Sequence, residues 1–71
     1  MVKLNGAEYA FSPGMTLKGL VDTYNAERNK FLAFEGFAVV INNTAITVPQ
    51  AQERILLDND TIFIVPLLDG G

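Results

Sequence analysis

Apolar and polar positions alternate at the start of the chain. Val2 and Leu4 fall on one face of a short strand over residues 2–5, with Tyr9 and Phe11 on the matching face of a returning strand over 7–11. Lys3, Glu8 and Ala10 point the other way. Between the two strands, Asn5-Gly6 predicts a two-residue type I′ turn, because both residue types accept positive φ. Ser12-Pro13-Gly14 ends the pairing, and the period then lengthens. Leu17, Leu20, Val21 and Tyr24 follow at the spacing of one helical stripe, behind Thr16 as N-cap. Lys18, Asp22 and Asn25 fall off that stripe and are expected in water. Gly19 weakens this helix by about 1 kcal/mol relative to Ala, and either serves a close approach to a sheet or is simply tolerated. The helix is expected to end near residues 27–29.

Residues 31–36 read as a connection carrying apolar plugs. Residues 37–41 (FAVVI) form the clearest strand, expected to be central and covered. Val39 and Ile41 are placed toward the helix, Ala38 and Val40 on the opposite side. Asn42-Asn43 turns the chain into a strand over 45–48, which Pro49 stops. A single helical turn is expected over 50–54, a packed segment over 55–57, and a polar turn at Asp58-Asn59-Asp60. The last strand, 61–68, alternates Ile62 and Ile64 inward with Phe63 and Val65 outward.

The element order is hairpin, helix, two strands, a short helical turn and a final strand. If the strands flanking the helix are parallel, they form a right-handed crossover. The predicted fold is α+β: a β-grasp, or ubiquitin-like, roll with a mixed sheet of four to five strands and one main helix on one face. Residues 1–68 make the domain, and 69–71 a flexible Gly-Gly tail.

Composition narrows the function. With 71 residues the chain makes one small domain, and 49% hydrophobic content argues against disorder. It has no cysteine and no histidine. A thiolate nucleophile or metal site is therefore impossible, and the side chain best suited to proton transfer near neutral pH is missing. Both absences count against a self-contained enzyme. Net charge of −3 suits protein partners rather than nucleic acid. With no apolar run near 18 residues and no signal-like start, a cytoplasmic location is expected, with no membrane partner.

Candidate chemistry is sparse. Asp58 and Asp60 lack the glycine and distal glutamate of a calcium loop, so a tight turn is the better reading, and no metal site is expected. Glu27 and Glu35 have no paired acid, and the glycines form no phosphate loop. Of the aromatics Tyr9, Phe11, Tyr24, Phe31, Phe34, Phe37 and Phe63, only Phe63 stands clearly outside the expected core. Two glycines close the sequence, an outcome with odds of about one in two hundred at a glycine frequency near 7%. They follow a strong strand directly. Lacking Cβ atoms, Gly70 and Gly71 form a thin thread ending in a carboxylate. Residues 68–71 extended reach about 13–14 Å, enough to enter a narrow active site while the body docks outside.

The chain as a whole resembles the ThiS/MoaD sulfur-carrier family, prokaryotic relatives of ubiquitin. The matching segments are residues 2–6 (VKLNG), 11–17 (FSPGMTL), 38–42 (AVVIN), Val48-Pro49, 57–60 (LDND) and 61–71 (TIFIVPLLDGG). The opening, the Val-Pro followed by Arg54, and the Asp-x-Asp turn look like ThiS, whereas Pro-Leu-Leu before the tail looks like MoaD. Asn42-Asn43 stands where the family usually has Asn-Gly, and Asn59 where it has Gly. The 44–47 loop is slightly longer than in typical ThiS, and Gln50 replaces a frequent basic residue.

The resemblance implies that an E1-like adenylating enzyme attacks ATP with the Gly71 carboxylate, with Gly70 needed beside it. A sulfur donor then displaces AMP, and the resulting thiocarboxylate passes sulfur to a downstream synthase. The chain itself holds no cofactor, and ATP belongs to the activating partner. Thiazole for thiamin is the first choice of pathway, molybdopterin or tungstopterin the second. Phe63, Val65, Leu67, Ala38 and Val40 form the expected docking face. A modifier conjugated through Gly71 and a non-catalytic β-grasp interaction domain remain alternatives.

Overall fold

The hairpin forms as the Asn-Gly signal requires. In the computed structural model, which describes residues 1–67, β1 (Val2–Leu4) pairs antiparallel with β2 (Ala7–Tyr9) in the register Val2↔Tyr9 and Leu4↔Ala7. Asn5 and Gly6 both take positive φ, 50° and 86°. β2 is shorter than the expected 7–11. Three residues of β1 are available to pair, so the ladder runs out at Tyr9, and Phe11 lies half-buried beyond it.

Thr16 caps α1 (Leu17–Arg28), accepting a hydrogen bond on Oγ1 from the Gly19 N–H at 3.1 Å. The stripe Leu17, Leu20, Val21 and Tyr24 is buried as its spacing predicts. Gly19 serves no close approach: a Cβ there would meet only Thr16 Oγ1, at 3.2 Å. It is a tolerated residue on the wet side. Asn25 departs from expectation. It is half-buried, because its carboxamide accepts from the Leu32 N–H (2.8 Å) and donates to the Leu32 carbonyl (2.9 Å). Asn29 closes the helix in the left-handed region.

β3 (Phe37–Ile41), β4 (Thr44–Ile46), α2 (Val48–Glu53) and β5 (Thr61–Pro66) complete the chain. The sheet order is β2-β1-β5-β3-β4, with β1 parallel to β5 and the other pairs antiparallel. β2 and β3 therefore run in the same direction, as a crossover through α1 needs. The centre of the sheet is β5, not β3, because the last strand inserts between the hairpin and β3. Only one face of β3 is covered.

β4 stops at Ile46, short of the expected 45–48. Thr47 instead caps α2 through a capping box, its N–H donating to Gln50 Oε1 (2.8 Å) and its Oγ1 accepting from the Gln50 N–H (3.3 Å). Pro49 thus starts a helix, in a first turn where a missing N–H costs nothing. That places α2 at Val48–Glu53 rather than 50–54.

Val2, Leu4, Val39, Ile41, Ile62 and Ile64 face α1 as expected, each nearly or fully buried. Two apolar expectations fail. Of residues 55–57 only Leu56 packs, while Ile55 and Leu57 are exposed. Of residues 31–36, Phe34 is buried and Leu32 packs on the core, but Phe31 is almost wholly exposed. This architecture, a mixed five-stranded sheet with one main helix, is the β-grasp.

Candidate docking face and tail base

Side chains on β5 alternate across the sheet, so burying Ile62 and Ile64 under α1 turns Phe63 and Val65 outward. Register brings the expected partners together: Val40 sits opposite Phe63, and Ala38 opposite Val65. Same-face residues so paired have Cβ atoms about 4.5–5.5 Å apart. Phe63 and Val65 are about half exposed (48% and 49%), while Ala38 and Val40 are half-buried. Leu67 is exposed just past the end of β5. Ala45 on β4 lies opposite Val40 and is exposed, which widens the strip. Its membership came from register alone, since a three-residue edge strand shows too little alternation to assign a face. On the other border, Lys3 and Glu8 form an exposed ion pair at 3.7 Å. The face is therefore apolar over β5 and β3 and charged over the hairpin. The 31–36 connection does not cover it, because Phe34 and Leu32 go to the core under the opposite face.

Two contacts hold the end of β5. The Asn5 carboxamide accepts from the Ile64 N–H (2.9 Å) and donates to the Ile64 carbonyl (3.0 Å), standing in for a peptide unit where β1 has ended. On the other side, the Leu67 N–H donates to the Gly36 carbonyl (3.0 Å). Gly36 has φ of 79°, which favours glycine. Gly70 and Gly71, together with Leu68 and Asp69, lie outside the described residues.

The opposite end of β5 begins at Asp60, which reads from sequence as a turn residue but is only 3% exposed. Its carboxylate accepts from the Leu57 N–H (2.9 Å), Asn42 Nδ2 (2.9 Å) and an Arg54 guanidinium nitrogen (3.0 Å). Asn42 also accepts on Oδ1 from the Thr61 N–H (3.0 Å). Burial pushes the Asp60 carboxyl up, but these donors outweigh it and hold the group below its ordinary 3.8. A carboxyl lowered in this way stabilises the fold above the unfolded value, and the contribution is lost as pH falls through the folded one. Asp60→Asn is expected to cost about 1–3 kcal/mol near neutral pH. Melting curves should show the gap to the parent chain narrowing below about pH 4. A gap constant from pH 7 to pH 2 would rule out the ionised contact.

The Asp58-Asn59-Asp60 turn forms, with Asn59 at φ of 68°. Asp58 accepts from the Met1 ammonium at 2.6 Å, which holds its carboxyl below the usual value. Among the described residues no three acids cluster to hold a metal. A cavity of about 420 Å³ lies between β2 and the start of α1, and its lining carries no acid or base besides the Tyr9 phenol. No described helix is long and apolar enough to cross a membrane.

A β-grasp body whose central strand runs out toward the C-terminal residues defines a small ubiquitin-like protein. The ThiS family matches residues 2–71, and the chain belongs to it. Members of that family are small sulfur carriers rather than catalysts, and they work with adenylating and sulfur-accepting enzymes. No curated protein matches the chain.

Proposed function

We propose that this chain carries sulfur as a thiocarboxylate on Gly71, for the thiazole of thiamin. The match to the ThiS family across residues 2–71, through the terminal Gly70-Gly71, carries this reading. An E1-like partner places the Gly71 carboxylate against the α-phosphate of ATP. A carboxylate oxygen attacks, pyrophosphate leaves, and an acyl adenylate forms. Sulfide-level sulfur from a donor then attacks the acyl carbon, so that a C–S bond forms as the C–O bond to AMP breaks. A thiocarboxylate remains for the accepting synthase. Chains lacking cysteine and histidine suit this division of labour, since the reacting group is the main-chain terminus and the catalytic groups belong to partners. Mass spectrometry of the protein isolated from its cell tests the reading. A gain of about 16 Da, oxygen replaced by sulfur, is expected at Gly71. High-mass adducts through Gly71 to lysines would instead make it a protein modifier.

The apolar strip of Phe63, Val65, Leu67, Ala38 and Val40 docks the activating enzyme in this proposal. A contiguous exposed patch on one sheet face favours a partner, and β5 leads from its centre to the tail. Phe63→Asp should lower kcat/KM for adenylation about 30-fold, the scale of a central hot spot. The fold should lose no more than about 1 kcal/mol, since Phe63 is half exposed. Unchanged kinetics would move the docking face elsewhere.

A further inference from the structure

Phe31 is 86% exposed, the highest value of any large hydrophobic residue among those described. The fold makes no use of its ring, because Phe34 and Leu32 fill the core beneath this connection. Yet the backbone on both sides of Phe31 is fastened to a single helical residue. The Lys30 N–H donates to the Asn25 carbonyl (3.1 Å), and the Asn25 carboxamide grips both the N–H and the carbonyl of Leu32. An aromatic ring is thus held out to solvent on a braced support.

Its place in the fold points to what meets it. α1 runs against β2 and β3, so its C-terminal end and the 31–36 connection lie at the pole where β3 begins and β5 ends. Phe37 pairs with Pro66 there, and Leu67 is tied to Gly36. Residues 68–71 span at most about 13–14 Å. Any enzyme that encloses the Gly71 carboxylate must come within that reach of Leu67, so its surface faces this pole.

We infer that Phe31 is an anchor for the enzyme that activates the terminal carboxylate, inserting into an apolar cleft at the rim of that enzyme's active site. The inference rests on the proposed function. It adds a contact on the helix side of the tail to the strip on the sheet side, so that the carrier is held on both sides of its thread. Ile55 supplies the control. It is also exposed (61%), but it bridges Thr16 at the start of α1, about 18 Å of helix away at the opposite pole.

The test is ATP–pyrophosphate exchange with the cognate activating enzyme, titrating the intact chain, Phe31→Ala, Phe31→Tyr, Ile55→Ser and a Gly71 deletion. Phe31→Ala should raise KM for the carrier about tenfold, as loss of an aromatic anchor does. Its kcat should stay within about twofold and its melting temperature should not move. Phe31→Tyr should restore most of the affinity, and Ile55→Ser should match the intact chain. An unchanged KM for Phe31→Ala, or an equal loss in Ile55→Ser, would overturn the inference. If the Gly71 deletion loses exchange while Phe31→Ala keeps the parental KM, the anchor falls and the carrier function stands. Exchange at the parental rate by the deletion would remove both.

Discussion

Removing Gly71 should abolish ATP–pyrophosphate exchange, and Gly70→Val should lower it at least a hundredfold. Both changes lie beyond the described residues, and melting is expected to shift by no more than about 0.5 kcal/mol in stability terms. The size of the kinetic loss follows from the chemistry. Adenylation needs the attacking oxygen in line with the α-phosphate, and a misplacement of about 1 Å costs on the order of a hundredfold. Deleting one residue withdraws the carboxylate by about 3.3–3.6 Å, and appending one displaces it by the same amount. On the proposed function the carboxylate reaches ATP through a narrow channel, and a valine at position 70 adds a branched Cβ where glycine presents only backbone. The anchoring of β5 sharpens the effect. Leu67 is tied to Gly36 and Ile64 to Asn5, so the strand cannot slide to make up a lost residue. Parental exchange rates in the deletion, the valine variant and the one-residue extension would take the tail out of the mechanism.

Leu20→Ala should destabilise the domain by about 2–5 kcal/mol, the range for emptying a buried leucine site. Leu20 is 4% exposed, in the middle of the α1 stripe that covers the sheet. A protein of 71 residues has about 4–11 kcal/mol in all, at roughly 0.05–0.15 kcal/mol per residue. The loss is therefore a large share of the total, enough to leave a measurable unfolded population near 37 °C. Urea unfolding at 25 °C provides the measurement: the midpoint should fall sharply with little change in slope. A midpoint within the error of the parent chain would mean that α1 does not pack as described.

How much of this was readable beforehand differs by element. The α1 stripe and the inward residues of β1, β3 and β5 were legible because burial imposes a period, and periods survive in a sequence. The outward pair Phe63 and Val65 came with them, as the other half of the same alternation. Asp60 was not legible as a buried hub. A carboxylate in an Asp-Asn-Asp stretch looks like a wet turn, and what buries it is the arrival of Asn42, 18 positions away, and Arg54. Phe31 failed in the opposite sense. Within an apolar run of Phe, Leu, Ala and Phe, nothing local says which ring the core has room for.

The sequence by itself determined the kind and order of the elements, the faces they bury and the absence of thiol or imidazole chemistry. These depend on side-chain type and near-neighbour spacing. Only the tertiary structure decided that the last strand takes the central place, with Ala38 and Val40 brought beside Val65 and Phe63. It also decided that Asn5 and Gly36 hold the two sides of β5 near its end. Strand order and register are set by which distant segments meet once the core closes. A contact between residues 59 positions apart, such as Asn5 with Ile64, has no local signature to read.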